Sequence, residues 1–222
     1  MIWIPPKVWQ DGQCWIIGGG PSIREVFGIP DGQYSGIGDY FKPIHDKHAI
    51  GVNNAYKLGN WIDILFFGDG SWYRKNKVTV KDFPGLLVSC SAEFQNSKII
   101  KYMPRDNKHR HGISAEKGKI SWSRNSGAAA VNLAYHLGAK TIFLLGFDMD
   151  YGADGFTHWF GSYAGDGMKS NVRPPFRTHL LGFKQICADA KKLGLEILNV
   201  NLSSKIEEFP KITLDQALKW GQ

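Results

Sequence analysis

The chain has 222 residues, of which 43% are hydrophobic and 13% aromatic, and its formal net charge at pH 7 is +7. This length is enough for one sizeable core and does not demand two domains, so we expect a single domain over residues 1–222. No apolar run approaches the length of a bilayer span, and residues 1–7 lack the order of a signal peptide, so we expect a cytoplasmic protein without a membrane span. The cysteines Cys14, Cys90 and Cys187 match neither a disulfide framework nor a zinc pattern.

A run of three glycines follows the first predicted strand, residues 14–17. Gly18, Gly19 and Gly20 can leave backbone amides facing a bound group, as in phosphate-binding loops, and Ser22 stands where a helix can begin. The run is not a Walker loop, because no Gly-Lys-Ser/Thr follows, and it matches Gly-x-Gly-x-x-Gly only loosely. It is therefore either part of a nucleotide site or a tight connection.

The next two predicted strands each end at a polar residue. Residues 49–52 lead to Asn53, and residues 62–67 lead to Asp69. Ligands of open α/β sheets bind beyond the carboxyl ends of the strands, so Asn53 and Asp69 are candidate ligand contacts. The alternative is that each side chain bonds its own backbone in a turn. A fourth strand is predicted at residues 86–91.

Residues 98–124 carry most of the excess positive charge. Eight lysines and arginines stand against two acids in this segment, which also contains His109 and His111. It is either a solvated loop or a surface that attracts an anion, whether a nucleotide sugar, an acidic glycan or a nucleic acid. Charge alone does not distinguish these ligands.

A helix and a strand in the middle of the chain give the strongest pattern. Apolar and small residues recur at helical spacing over residues 128–137, Gly138 supplies a stop, and residues 141–145 are apolar enough for an internal strand of a parallel sheet. We expect Ser126 to cap the helix and Gly127 to let a ligand approach the backbone. An anion is expected at this helix start.

The remainder of the chain completes an α/β pattern. Residues 147–176 are rich in glycine, aspartate and aromatic residues and predict a lid or acceptor loop. Helical periodicity returns at residues 177–193, a strand follows at 196–200, and a helix is predicted at 214–220. The predicted fold class is α/β, a mostly parallel sheet flanked by helices with a long active-site loop after the central strand.

The order of these motifs resembles that of a known enzyme family. The motifs are Gly18-Gly19-Gly20-Pro21-Ser22, Asn53, Asp69-Gly70-Ser71, Ser126-Gly127 and Gly146-Phe147-Asp148. They resemble the bacterial sialyltransferases of glycosyltransferase family 42, and they are also similar to the MptE-like family, named for an archaeal 6-hydroxymethylpterin diphosphokinase. The resemblance covers residues 14–202. It implies a single Rossmann-like domain that holds a CMP- or UDP-linked sugar donor without requiring a metal.

The resemblance also implies which residues contact the nucleotide. They are Gly18, Gly19, Gly20, Ser22, Asn53, Asp69, Arg124, Ser126, Gly127, Asp148 and Tyr151. Gly19 and Asp69 each stand where asparagine is usual, and the arginine and tyrosine of the family fall one residue away from Arg124 and Tyr151. A carboxylate at Asp69 would need a pairing partner or a metal, which raises the MptE-like alternative, with Asp69 and Asp148 holding Mg²⁺.

The resemblance implies a histidine as the catalytic base, and two positions compete for it. An ungapped match puts the base on Ser162 and His158 on a preceding, less critical histidine of the family, whereas alignment from the last strand brings the base close to His179. A histidine suits the role because its pKa lies near working pH and it can accept a hydroxyl proton.

Three functions and one non-catalytic role fit the sequence. The first is an inverting glycosyltransferase, whose partners would be a nucleotide sugar and a glycan or nucleic-acid acceptor. The second is an Mg²⁺-dependent diphosphotransferase of the MptE-like type. The third is a nucleic-acid-directed glycosyltransferase, or a DNA-binding protein, that uses residues 98–124. A binding module without catalysis is also compatible with the sequence, as is an oligomer.

Overall fold

The computed structural model describes residues 1–161 and 175–221. Its strands are β1 (Gln13–Ile17), β2 (Ala49–Val52), β3 (Ile64–Phe67), β4 (Leu86–Ser89), β5 (Ile100–Tyr102), β6 (Thr141–Leu145) and β7 (Glu196–Asn199). Within the described residues they form one seven-stranded sheet in the order β5-β4-β3-β2-β1-β6-β7. Every pairing is parallel, which confirms the predicted α/β fold class.

The internal strands are apolar because both faces of this parallel sheet are covered. β6 pairs with β1, where Phe143 lies opposite Trp15, and with β7, where Ile142 lies opposite Ile197. The prediction that residues 141–145 form an internal strand is confirmed. The strand lies one place from the edge of the sheet, however, and not at its centre.

Helices cover the two faces of the sheet. The α-helices are α1 (Ser22–Val26), α2 (Gly70–Val80), α3 (Ser126–Leu137), α4 (Phe176–Leu193) and α5 (Leu214–Leu218), with 3-10 helices at Gly38–Ile44, Asn53–Leu58 and Ala92–Phe94. One apolar cluster includes Leu133 of α3 and Phe183 of α4, and a second includes Ile23 of α1, Phe41 and Ala217 of α5. Among the described helices, none combines the length and the apolar composition that crossing a bilayer requires.

Helix α3 begins at the predicted residue but with a different cap. The side-chain oxygen of Asn125 accepts hydrogen bonds from the amides of Gly127 at 2.8 Å and Ala128 at 3.2 Å. The prediction that Ser126 caps this helix is therefore wrong, because Ser126 is the first helical residue. The predicted stop at Gly138 is confirmed, since this residue adopts a left-handed conformation with φ 98°.

Several predicted boundaries change, and one strand, one α-helix and the three 3-10 helices lie where no element was predicted. β3 starts two residues later than predicted, at Ile64, and the carboxylate of Asp63 just before it accepts a hydrogen bond from the amide of Ala49 at 2.8 Å. β4 ends two residues earlier, at Ser89, and β7 one residue earlier, at Asn199. Helix α2 and strand β5 were not predicted, and β5 lies inside the basic segment.

The strand order reverses between β1 and β6, the point at which open α/β sheets hold a ligand crevice. From β1 the chain adds β2, β3, β4 and β5 in one direction, and it then returns through α3 to place β6 on the other side of β1. The loops after β1 and β6 therefore leave their strands toward opposite halves of the sheet. Such a switch point is the usual ligand position in an open α/β sheet.

Candidate active site

The glycine turn after β1 is joined to the loop after β6. The amide of Gly18 donates to the carbonyl of Leu145 at 2.7 Å, and the amide of Gly20 donates to the carbonyl of Gly146 at 2.9 Å. A Cβ atom on Gly18 would lie 2.7 Å from the carbonyl oxygen of Gly146, so the close approach of the two loops requires glycine there. These two amides are committed to protein acceptors, whereas the amide of Gly19 has no acceptor among the described residues.

The carboxylate of Asp148 occupies the start of α1. Its Oδ1 accepts from the amide of Ser22 at 2.8 Å, and its Oδ2 accepts from the hydroxyl of Ser22 at 3.0 Å. A Cβ atom on Gly20 would lie 1.7 Å from this Oδ2, so the glycine leaves the space that the carboxylate fills. Burial raises the pKa of Asp148 to about 6, and the hydrogen bonds from Ser22 offset only part of that rise. Ser22 and Asp148 thus lie together and bind each other.

His158 lies directly against the glycine turn. The amide of Trp159 donates to the carbonyl of Gly19 at 2.9 Å, and a Cβ atom on Gly19 would lie 2.8 Å from Cδ2 of His158. Nδ1 of His158 shares a hydrogen bond of 2.8 Å with the hydroxyl of Thr157, and its ring stacks on Phe160 at 4.8 Å. Burial lowers the pKa of His158 to about 4, so the imidazole is neutral at pH 7.

A buried phenylalanine lies between the glycine turn and the start of α3. A Cβ atom on Gly18 would lie 3.2 Å from Cδ2 of Phe147, and one on Gly127 would lie 2.7 Å from Cε1 of the same ring. The two turns therefore lie on the same side of the molecule, but the ring of Phe147 fills the space between them, where the sequence had predicted a shared anion pocket. Phe147 also fills the space next to Gly127, so this glycine is needed for packing and the predicted ligand approach at its Cα is wrong.

The residues just before α3 have an uncommon backbone. Ser123 and Arg124 are consecutive non-glycine residues with positive φ, 48° and 51°. Such a conformation costs about 1–2 kcal/mol for each L-residue. The hydroxyl of Ser123 and Nδ2 of Asn125 are buried without a hydrogen-bond partner in the described part of the chain. Strain and unpaired polar atoms occur together here, beside an exposed Arg124.

Asn53 and Asp69 lie at the same edge of the sheet, at different distances from the glycine turn. Asn53 follows β2, the neighbour of β1, and has a positive φ of 52°. No hydrogen bond from its side chain occurs within the described residues. Asp69 is exposed after β3. The strands before Asp69 and Asp148 are three positions apart, about 14 Å at about 4.8 Å per strand, so these carboxylates do not converge on one Mg²⁺ ion.

No metal cluster forms from these carboxylates with other side chains either. Across residues 1–161 and 175–221, no group of three histidine, cysteine, aspartate or glutamate residues is placed to hold an ion. The predicted Mg²⁺ pair of Asp69 and Asp148 therefore has no third ligand of these types in the described chain.

His179 and Tyr151 lie near the start of α4. His179 is half-buried in the first turn of the helix, and burial lowers its pKa. One turn later Gly182 packs on Ser123, with a Cβ position 2.9 Å from Cβ of Ser123, so the helix face that carries His179 points toward the start of α3. Tyr151 is half-exposed and packs edge-on against Phe176 at 5.6 Å. Trp159, next to His158, packs in the cluster of α1, whereas α4, which carries His179, packs in the cluster of α3, so the two histidines belong to opposite faces of the sheet.

Part of the predicted site lies outside the described residues. Residues 162–174 of the predicted lid or acceptor loop belong to that part, and so does Ser162, the position that the ungapped match assigns to the base. The lid assignment stays a prediction.

The end of β7 and the loop after it bind the backbone of the segment that carries Asp148. The sequence predicted no role in the site for these residues. The hydroxyl of Ser204 donates to the carbonyl of Phe147 at 2.6 Å, and the side-chain amide of Asn199 donates to the same carbonyl at 3.3 Å. The amide of Lys205 donates to the carbonyl of Asp148 at 2.9 Å. These bonds fix the backbone that carries Asp148. The contacts connect segments more than 50 residues apart, which no local pattern indicates.

Comparison with known proteins gives a fold but no family. No family model matches the chain, and no curated protein matches it. Two solved structures with similar folds are sialyltransferases from Campylobacter jejuni. CstII, determined with the substrate analogue cytidine-5′-monophosphate, has a TM-score of 0.53 at 13% identity, covering 90% of this chain and 84% of that chain. Cst-I has a TM-score of 0.50 at 17% identity, and the match covers 91% of this chain and 80% of Cst-I.

A third similar structure belongs to a larger protein. The MAf glycosyltransferase of Magnetospirillum magneticum AMB-1 has a TM-score of 0.60 at 14% identity. The match covers 98% of this chain but only 37% of that enzyme. This chain shares the fold of these glycosyltransferases. The fold-level part of the predicted resemblance to sialyltransferases is thereby confirmed.

Proposed function

We propose that this chain is a glycosyltransferase that moves a sugar from a CMP- or UDP-linked donor to an acceptor hydroxyl. The observation that carries the proposal is the half-buried, neutral His158 against the glycine turn at the β1/β6 switch point. A proton acceptor at a ligand crevice suits deprotonation of a hydroxyl. The shared fold with a sialyltransferase that binds cytidine-5′-monophosphate supports a nucleotide donor, and favours the cytidine form.

The donor phosphate is proposed to lie toward α3 and not toward α1. Asp148 already occupies the amide of Ser22 and would repel a phosphate there. The start of α3 is the stronger anion site, because its twelve residues give a fuller helix dipole and Arg124 is exposed beside it. The amides of Gly127 and Ala128 donate to Asn125, so the start of α3 offers the Ser126 amide, which has no acceptor among the described residues. Asn53 and Gly19 also offer donors without partners in the described part of the chain.

The transfer step is proposed to be a single inverting displacement. The acceptor oxygen forms a bond to the anomeric carbon while the bond from that carbon to the phosphate oxygen breaks. The acceptor proton passes to His158, and the nucleotide leaves with the electron pair. The phosphate charge of a bound donor would raise the pKa of His158 from about 4 toward working pH, which makes it a better base. His179 is the second candidate for this role.

Nucleotide binding tests the donor site directly. Binding to the folded state raises its stability by about 2.7 kcal/mol at a hundredfold excess over the dissociation constant. We expect CMP or UMP, and the corresponding nucleotide sugars, to raise the melting temperature with and without a chelator. A rise that disappears with the chelator would support the Mg²⁺-dependent diphosphotransferase instead. If cytidine, uridine, guanosine and adenosine forms all leave the melting temperature unchanged, the donor site is wrong.

Histidine variants test the catalytic step. We expect His158→Asn to lower kcat by about 10²–10⁴-fold while the melting shift with nucleotide is kept. His179→Asn is the competing variant. His48→Asn is the matched control, because His48 is exposed and precedes β2, at the amino ends of the strands. A base must be neutral, so kcat/KM of the wild type should fall only as the pH drops toward about 4. Full activity of His158→Asn would transfer the role to His179 or remove the histidine mechanism.

A further inference from the structure

The basic segment lies beside the candidate site and not on a remote surface. Nη2 of Arg105 donates to the carbonyl of Gly68 at 3.0 Å, at the carboxyl end of β3. Further along, the amide of Ser123 donates to the carbonyl of Arg110 at 2.8 Å, just before α3. The segment therefore follows the carboxyl edge of the sheet from β3 to the start of α3. We call the exposed cations Arg105, Lys108, Arg110 and Arg124 the basic ridge.

A buried carboxylate orders the loop that carries Arg105 and Lys108. Asp106 accepts from the amides of Lys108 at 2.9 Å and His109 at 3.1 Å, and from the hydroxyl of Ser114 at 2.5 Å. Burial raises the pKa of Asp106, but these hydrogen bonds outweigh it and lower the pKa to about 2. Asp106 therefore stays ionised and committed to the loop. A loop ordered in advance loses less entropy when it binds a partner.

Within the described residues, ion pairs do not neutralise the ridge cations, not even Arg105 with Asp69, which follows the Gly68 carbonyl that Arg105 binds. No ion pair within the described residues involves any of its four cations, although all four are exposed. Of the two acids in residues 98–124, Asp106 is buried, and Glu116 pairs with Lys119. Arg105 is further fixed by its guanidinium, which lies 4.3 Å above the ring of Trp122.

We propose that the basic ridge binds the phosphate backbone of a nucleic acid, so that the acceptor of the transferase proposed above is a hydroxyl on that polymer. This proposal rests on the proposed function for the transfer but not for the binding. A group of exposed cations gains most from a partner of high charge density, because each neutralised phosphate releases condensed counterions. Three of the four cations are arginines, whose planar fork matches phosphate oxygens in pairs. The ridge ends at Arg124, beside the proposed donor phosphate.

The salt dependence of the binding constant measures how many phosphates the ridge contacts. We would follow the anisotropy of a labelled duplex of about 20 base pairs, and of one of its single strands, between about 50 and 200 mM NaCl. Four phosphate contacts at about 0.9 ions each predict that log K falls against log salt with a slope of about −3 to −4 on the duplex. A slope near zero, or no binding at the lowest salt, would overturn the proposal.

Paired variants separate the ridge from the overall charge. We expect Lys108→Gln with Arg110→Gln to reduce the slope by about 2 and to weaken binding at least about tenfold at low salt. The matched control is Lys140→Gln with Lys191→Gln. Lys140 precedes β6 and Lys191 lies in the last turn of α4, both exposed and away from the carboxyl ends of the strands, so the salt slope and the affinity should stay unchanged. Equal losses in the two double variants would assign the binding to net charge and overturn the proposal.

Two further measurements identify the polymer and separate this proposal from the donor site. A carboxylated polysaccharide that binds as tightly as the duplex, with the same loss in the ridge variant, would replace nucleic acid by an acidic glycan. Both double variants should keep the melting transition of the wild type and its rise with CMP or UMP. If nucleotides never bind but the ridge-dependent binding of the duplex persists, the proposed function fails while the ridge remains a nucleic-acid surface.

Discussion

Replacing Asp148 with asparagine removes a charge from a position that is only 7% exposed. The amide has the shape of the carboxylate, so its oxygen can still accept from the amide of Ser22 and its nitrogen can donate to the Ser22 hydroxyl. What changes is the free-energy cost of desolvating a buried carboxylate, which the variant does not have. Burial raises the pKa of Asp148 from 3.8 to about 6, which means that the folded state disfavours the ionised form.

The sign and size of the effect follow from linkage. The folded pKa is above the unfolded one, so the unfolded chain loses this proton first as the pH rises. The free energy of unfolding of the wild type should therefore fall between pH 3.8 and about 6 relative to the variant. A difference of about two pH units corresponds to about 3 kcal/mol. Above this window the variant should be more stable by up to that amount, and below it the two proteins should differ little.

Urea unfolding of both proteins across this pH range measures the difference, and subtraction removes the titration of all other groups. Asp150→Asn is the control, because Asp150 lies two residues away, pairs with Lys205 at 3.4 Å, and has a lowered pKa caused first by a hydrogen bond from the Tyr151 amide. Its variant should lose stability relative to the wild type as the pH rises. If the free energy of unfolding of the wild type instead rises relative to that of Asp148→Asn between pH 4 and 6, the burial argument is refuted.

Two further variants test the packing around α3 by urea unfolding. Ser123→Gly should stabilise the protein by about 1 kcal/mol, because it relieves a positive φ of 48° and removes a buried hydroxyl without a partner among the described residues, less the added flexibility of glycine. Ser123→Ala keeps the strain and should gain less; a larger gain would contradict the strain explanation. Gly127→Ala should destabilise by about 1–3 kcal/mol instead of the gain of about 1 kcal/mol usual inside a helix, because its Cβ would lie 2.7 Å from Phe147. Adding Phe147→Leu should recover part of that loss, and stabilisation by Gly127→Ala alone would disprove the contact.

The sheet was predictable where burial dictates composition. β1, β2 and β6 are short, uniformly apolar runs between turn residues, because strands covered on both faces have no solvent side to mark with polar residues. Helix α3 was predictable for a similar reason, since its apolar residues recur at helical spacing and end at Gly138. The fold class followed from the alternation of these strands and helices.

The elements that escaped prediction lie on the surface or at an edge. α2 is largely exposed, and it ends in Val78, Thr79 and Val80, whose β-branched side chains favour strands. β5 has three residues, pairs with β4 at the sheet edge, and is embedded in lysines. The cap of α3 was misplaced because Asn125 and Ser126 are adjacent and both cap well, so sequence alone does not fix the register.

The site was predictable as a location but not as a set of contacts. Positions after strands mark the carboxyl edge, and Gly20, Asn53 and Asp148 do lie there. The pairing of Asp148 with Ser22 joins residues 126 apart in the chain, and only the sheet order brings them together. Sequence resemblance therefore assigned both to a nucleotide, whereas the structure commits them to each other.

That pairing determines how the two proposals fit together. α1 has five residues and its first amide is taken by Asp148, so it offers an anion little field and no donor. α3 has twelve residues, an exposed arginine before it and a Gly127 that Phe147 keeps in place. Both proposals, for the donor phosphate and for the basic ridge, therefore meet at Arg124, where the ridge ends. A phosphate polymer on the ridge would deliver its hydroxyl to this end of the crevice. We infer that charge brings donor and acceptor together at the start of α3, and that neutral His158 supplies the proton acceptor from the other face of the sheet.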